Sequence, residues 1–432
     1  MSIFSQHKQD RRNNEVVITG LGIVSPIGET VGEVRQSLAS GHSGITHWKR
    51  MHEGSYSQIG GDLSDFDLKA HLARVGDRYP EDLAKRARRL LRTTPLSGRL
   101  TASAALQAYV DAGVALPPER VGHVLSGHNL HSPYIHANVM AYQDEPEHIE
   151  ALYGIHYLDT DVLAVISELL NLQGPNFSVG GACASGNLAL LNALDLLRSG
   201  RADAVVVSGA ASPIDLVTRQ GWSMLGALAI KSFNDAPAAA SRPFDARREG
   251  FVPSEAAAAV VLERQDHAAA RGATIYAHLL GAASTCNASR LPHPNHDAQV
   301  RVMQTALDDA GIPAEEINYV NAHATSTPAG DATEVAALKT VLGDRAYQIP
   351  INATKSLVGH CLTSAAIVEL IATVIQMQEG FVHPTINLTD PDPELDLDFV
   401  PSHARGHEIE YAISNAFGFG GLNACVVVGC AA

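Results

Sequence analysis

The chain has 432 residues, 46% hydrophobic and 18% charged, with a formal net charge of −15. That length supplies a core large enough to need neither disulfides nor a structural metal, and the apolar fraction excludes a largely disordered chain. The acid excess argues against a nucleic-acid partner, which needs surplus Lys and Arg against phosphate. Cys183, Cys286, Cys361, Cys425 and Cys430 are odd in number, scattered and without a C-x-x-C pair, so a reducing cytoplasm is expected and a disulfide framework is not. The polar stretch 1–14 reads as a disordered tail and not a signal peptide. No apolar run reaches the ~18 residues of a membrane helix.

In chain order, the first element is the β-branched run Glu15–Gly28. Its Gly20-Leu-Gly22 lacks the third glycine of a dinucleotide turn, and Pro26 stands where the helix would start, so NAD binding is set aside. Strand-like runs at Ala204–Ser208, Ala259–Leu262 and Ala424–Gly429 then alternate with amphipathic helices, the pattern of an α/β protein whose sheet is covered on both faces. An internal echo supports this. ALQAYVDAGV (Ala105–Val114), an acidic turn and the strand-like His123–Ser126 match VMQTALDDAGI (Val302–Ile312), another such turn and Tyr319–Ala322. Each Asp-Ala-Gly places glycine where a left-handed helix cap is easiest. The expectation is two similar halves, 15–265 and 270–432, packed as one body.

Three sites could carry chemistry. Cys183 sits in Gly181-Ala-Cys-Ala-Ser-Gly186, between a strand-like Asn176–Gly180 and a helix from Asn187. A cysteine among small residues at a helix N-terminus is exposed and biased toward thiolate; a small buried hydrophobe is the competing reading. His323 follows a strand among small and hydroxyl residues, and His360 lies at a turn before the helix Leu362–Gln378. The duplication equates that helix with the one after Cys183, bringing two helix N-termini together at the centre. His128, His131 and His136 lack a helical i, i+4 pair or a neighbouring carboxylate or Cys, which favours pocket lining or an interface over a metal site.

With these residues in view, the chain resembles the β-ketoacyl-acyl-carrier-protein synthases of the thiolase fold, most closely the elongating synthase II type. The resemblance runs from Val16 to Val428 on motifs in family order: VVITGLGIVSPIG, GPNFSVGGACASG, SRPFDARREGFV, VNAHATSTPAGD, NATKSLVGH and SNAFGFGGLN. It implies two βαβαβαββ halves in an α-β-α-β-α five-layer body. It also implies condensation of a Cys183-bound acyl group with malonyl-acyl-carrier protein, giving a β-ketoacyl product and CO2. Cys183 would be the nucleophile, with His323 and His360 as neutral donors to the developing enolate. Backbone N–H groups of Cys183 and Phe419 would hold the second oxyanion, and Phe419 would gate the acyl pocket.

By the same resemblance, Thr325 and Thr327 bind pantetheine, and Lys355 and Glu369 form an orienting ion pair. Asn321, Glu334, Glu369 and Ser414 match positions around a structural cation in some relatives. The basic run Lys85, Arg86, Arg88, Arg89 would dock an acidic acyl carrier protein, whose phosphopantetheine delivers the substrates; the chain would carry no cofactor of its own. A dimer is implied, pairing through Asn176–Val179 as a homodimer or as a heterodimer with a chain-length factor. The pattern departs from the family at Ser254, Ala256, Ala324, Leu422 and Thr363–Ala366, and in the segment Gly127–Tyr134. These changes suggest a specialised polyketide or secondary-metabolism synthase. Acyl transfer without elongation and a non-catalytic partner role rank lower, since relatives of those kinds lose the cysteine that stands here.

Overall fold

The computed structural model describes residues 15–431, so the tail expected over 1–14 lies outside the described residues. The strands are β1 (Val16–Val24), β2 (Val121–Ser126), β3 (Asn176–Val179), β4 (Ala204–Gly209), β5 (Ala257–Arg264), β6 (Ala277–Cys286), β7 (Tyr319–Asn321), β8 (Ile351–Asn352), β9 (Tyr411–Gly418) and β10 (Leu422–Cys430). They form one ten-stranded sheet in the order β8-β7-β9-β10-β6-β1-β5-β4-β2-β3. β2 lies parallel to β3 and β4, whereas β5 is antiparallel to both β4 and β1. β7 to β10 and β6 repeat that pattern strand for strand. The two repeats join edge to edge where Val16–Ile18 of β1 pairs with Ala277–Leu279 of β6.

The principal helices are α1 (Glu81–Leu90), α2 (Leu96–Ala112), α3 (Ser132–Asp144), α4 (Thr160–Leu170), α5 (Ser185–Arg198), α6 (Leu216–Met224), α7 (His296–Ala310), α8 (Pro328–Leu342) and α9 (Ala365–Glu379). The expected five layers follow from how the core divides. α5 and α9 share one cluster with the inner faces of both sheet halves, α2 and α4 cover the outer face of the first half, and α7 and α8 that of the second. α9 is buried from Ala365 to Met377, which its stretch AAIVELIA, apolar except for Glu369, permits because protein surrounds it on every side. α2 and α7 both end on a left-handed glycine, Gly113 (φ 57°) and Gly311 (φ 68°), as the Asp-Ala-Gly echo predicts.

The glycines of β1 serve packing. A Cβ on Gly20 would stand 2.1 Å from the Ala108 carbonyl oxygen, and one on Gly22 2.1 Å from that of Ala104, so α2 rests directly on β1. Gly281 of β6 meets α7 at Ala306 and Ala310 in the same way. At the centre, α5 crosses α9 where Gly186 faces Ala366. This crossing brings the N-terminal turns of the two helices side by side.

Candidate active site

Cys183 lies in a single helical turn, Ala182–Ala184, leading into α5; Leu362–Ser364 does the same before α9. Both turns begin on a left-handed non-glycine residue, Ala182 (φ 48°) and Leu362 (φ 54°). Thr363 is thus the counterpart of Cys183 across the pseudo-symmetry. The end of β9 closes over the Cys183 turn, where a Cβ on Gly418 would meet the Gly181 carbonyl oxygen at 2.6 Å. That approach lets the backbone N–H groups of Phe419 and Cys183 reach the sulfur.

The expectation of a thiolate is not met in this setting. Burial pushes the Cys183 thiol up to about 11, although the Lys355 charge and those two N–H groups act the other way. Desolvation penalises the charged form more than the helix terminus stabilises it.

His323 and His360 face each other with ring centroids 5.7 Å apart and planes at 86°. Burial, helped by the Lys355 charge, holds both imidazoles well below 6.5 and so neutral. His360 Nδ1 accepts from the Leu362 backbone N–H at 3.1 Å, which puts the ring proton on Nε2, a buried atom without a protein partner. Lys355 Nζ stands 3.4 Å from His323 Nδ1 and also pairs with Glu369, joining the expected ion pair to the imidazole. Burial pushes the Glu369 carboxyl up while Lys355 pulls it back.

Two cavities of about 510 Å3 each meet at this point, and Cys183, Phe251 and Phe419 line both. The first is walled by His128, Ile135, His136 and Val139 and ends against Ser212 and Thr363, whose hydroxyls lie 2.5 Å apart. The second holds His323, His360, Thr325 and Thr327; the two threonine hydroxyls are 3.0 Å apart. Sequence reasoning missed Phe251, which packs edge-on against His360 at 5.2 Å. It stands at the end of SRPFDARREGFV, a motif to which no role had been given. His128 and His136 line the pocket, as their spacing suggested.

The remaining expected residues divide. Glu334 accepts from the backbone N–H groups of His323 and Ala324, both at 2.8 Å, and from Asn415 at 3.1 Å, which braces the His323 loop. The Asn321 amide donates to Ser414 at 3.2 Å, and its carbonyl accepts from Thr354 at 3.0 Å. Glu369 Oε2 is buried without a partner beside them. No cluster of His, Cys, Asp and Glu among the described residues is disposed to hold a metal ion.

On α1, Ala84 and Ala87 face inward. Arg86 is held by the Leu169 carbonyl at 3.0 Å, Lys85 pairs with Glu81 at 2.7 Å, and Arg89 lies 3.8 Å from Glu168. Arg88 is exposed and makes no ion pair with a described carboxylate. Arg86 is therefore a tie to α4 and not a free surface cation.

A cysteine and two neutral imidazoles at the meeting of two cavities, on a duplicated βαβαβαββ fold, are the setting of an acyl-condensing enzyme of thiolase architecture. The chain belongs to the β-ketoacyl synthase family. The family descriptions "Beta-ketoacyl synthase, N-terminal domain" and "C-terminal domain" match residues 13–268 and 276–389. It is 36% identical over 423 residues to the 3-oxoacyl-[acyl-carrier-protein] synthase 2 of Coxiella burnetii, covering 96% of this chain and 98% of that one. It is likewise 36% identical over 425 residues to the chloroplastic synthase I of Arabidopsis thaliana, covering 95% of this chain and 85% of that one. Among solved structures, a β-ketoacyl synthase from Burkholderia phymatum superposes with a TM-score of 0.86 at 29% identity, covering 97% of this chain and all of that one. The ishigamide ketosynthase/chain length factor gives 0.85 at 30%, covering 97% and 99%. No helix among the described residues is long and apolar enough to cross a membrane.

Proposed function

We propose that Cys183 accepts an acyl group from the phosphopantetheine thiol of an acyl carrier protein and condenses it with a malonyl unit. The observation that carries this reading is the meeting of two cavities at Cys183, with two neutral imidazoles on one side only. In the first half-reaction the Cys183 sulfur replaces the pantetheine sulfur on the acyl carbon, and the thiol proton leaves on pantetheine. Malonyl thioester then enters the histidine side, held by Thr325 and Thr327. Its carbon–carboxylate bond breaks, CO2 departs, and the enolate oxygen receives hydrogen bonds from His323 and His360. Neutral N–H donors in a desolvated site stabilise that charge without transferring a proton. The enolate carbon attacks the acyl carbonyl, whose oxyanion meets the N–H groups of Cys183 and Phe419, and the Cys183 sulfur leaves.

Substrates come on the carrier protein's phosphopantetheine, so this chemistry asks for no cofactor of the chain's own. Arg88 and Arg89 steer the acidic carrier, the assembly is a dimer built on β3, and the enzyme works in a reducing cytoplasm, in keeping with its free cysteines. The departures at Ser254, Ala324, Leu422 and Thr363–Ala366, with the ketosynthase/chain length factor neighbour, favour a specialised pathway over bulk fatty-acid synthesis.

Intact-mass spectrometry tests the reading. Acyl-carrier protein should load Cys183, added malonyl-carrier protein should release a β-ketoacyl product, and Cys183→Ala should abolish both. Loading without a β-keto product would establish simple transfer instead. Arg88→Glu with Arg89→Glu should raise KM about ten-fold for carrier-borne substrates and leave that for small thioesters in place.

A further inference from the structure

Beside the Cys183 cavity lies another, of about 560 Å3 and different character. The two share His136, Pro213, Ile214 and Asp215 as a common wall. Arg50, Arg92, Arg99 and Arg219 line the second cavity, and none forms an ion pair with a described carboxylate. Arg219 is only 3% exposed; its guanidinium lies 5.0 Å from the centroid of Trp48 and donates to the Arg50 carbonyl at 3.0 Å.

Of the four acids in the same wall, Glu150 is exposed and the other three are engaged elsewhere. Asp215 accepts from the backbone and hydroxyl of Thr218, both at 2.8 Å, and Asp62 from the N–H groups of Lys49 and Ser64 at 2.7 and 2.8 Å. Glu255 accepts from Leu63 N–H at 2.8 Å, and burial pushes its carboxyl up to about 7, toward the neutral form. Donors without acceptors accumulate as a result. Arg99 Nε and both ring nitrogens of His131, one of them a donor in the neutral ring, are buried without a partner. Buried donors left this way are costly unless a ligand brings an acceptor, and a guanidinium fork matches a carboxylate best.

We propose that this cavity receives a carboxylate at the far end of the acyl chain carried by Cys183, so that the enzyme selects acyl groups ending in an acid. The inference rests on Cys183 as acyl acceptor, and the test separates the two. Loading of Cys183 in the full-length enzyme is followed by intact mass, using N-acetylcysteamine thioesters of straight-chain dicarboxylic acids, adipyl to dodecanedioyl, and their methyl-ended counterparts. At the best length the acid-ended thioester should load about ten-fold faster, the size of one charge-assisted hydrogen bond. Arg99→Gln should bring that ratio close to one, and Arg99→Lys should restore part of it. Arg99 is chosen because, unlike Arg219, it does not pack on Trp48.

Equal or slower loading of the acid-ended series at every length would overturn the proposal. Should neither series load Cys183, the acyl-acceptor reading fails first and takes this inference with it. Free suberate that raises the melting temperature of the wild type but not of Arg99→Gln, with no loading preference, would assign the cavity to a free acid and also overturn the proposal.

Discussion

Cys183, His323 and His360 are all displaced toward their neutral forms, because each is enclosed by protein and the charged form loses its water. For the imidazoles this suits the chemistry, since a neutral ring offers an N–H to an enolate and takes no proton from it. For the thiol it means that little thiolate stands ready at neutral pH. With the Cys183 thiol near 11, the thiolate fraction rises ten-fold for each pH unit below that value. Alkylation of Cys183 by iodoacetamide, read by mass spectrometry, should therefore climb steadily from pH 7 to about pH 10. A plateau below pH 9 would show that the helix terminus prevails over burial. Lys355→Met removes the charge that favours thiolate and should slow alkylation further at any fixed pH. His323 and His360, held well below 6.5, should leave no break in this profile near neutrality.

Close approach of backbone to backbone governs the elements around the site. An added methyl on Gly22 would sit 2.1 Å from the Ala104 carbonyl and 2.6 Å from the Ala108 nitrogen, both main-chain atoms of α2 that cannot turn aside. Gly22→Ala should cost about 3 kcal/mol of stability in urea denaturation. Gly32→Ala, with nothing within 4 Å in the helix Val31–Ser40, should instead gain about 0.5–1 kcal/mol. An equal effect at both sites would show that α2 can shift off β1.

The same geometry explains what the sequence reveals about the elements and what it hides. The Asp-Ala-Gly echo is legible because helix capping is local chemistry written within a few residues. Cys183, His323 and His360 are legible because each stands among small residues at the end of a strand or turn. Gly20 and Gly22 can be cleared of a nucleotide turn by the missing third glycine and Pro26, but their packing role is hidden, since one sequence pattern serves both phosphate and helix approach. The bracing role of Glu334 and the place of Phe251 depend on contacts between distant segments and have no local signature. The arginines of the second cavity are still less visible: Arg50, Arg99 and Arg219 come from three separate stretches, and only the fold gathers them.

At the scale of the whole molecule, the ten-stranded sheet ends on β3, which pairs on one side only. The carbonyls of Pro175, just before β3, and Val179 accept from His123 and Gly127, so alternation along the strand turns the backbone groups of Asn176 and Ser178 to the open edge. An unpaired edge invites another strand, and the segment from Met140 and Tyr142 to Ile155 and Tyr157 separately exposes apolar side chains. The β3 edge is the surface on which the proposed dimer would continue the sheet from one copy into the next. Proline at Ser178 removes one outward N–H and leaves the pairing with β2 in place, a substitution that edge strands tolerate. Light scattering after gel filtration should find the wild type at twice the chain mass and Ser178→Pro shifted toward a monomer, with far-ultraviolet circular dichroism unchanged. A wild type that is monomeric at micromolar concentration would remove β3 as an edge between copies of this chain. A variant that stays dimeric would move the interface to another surface, the apolar segment 140–157 first among them.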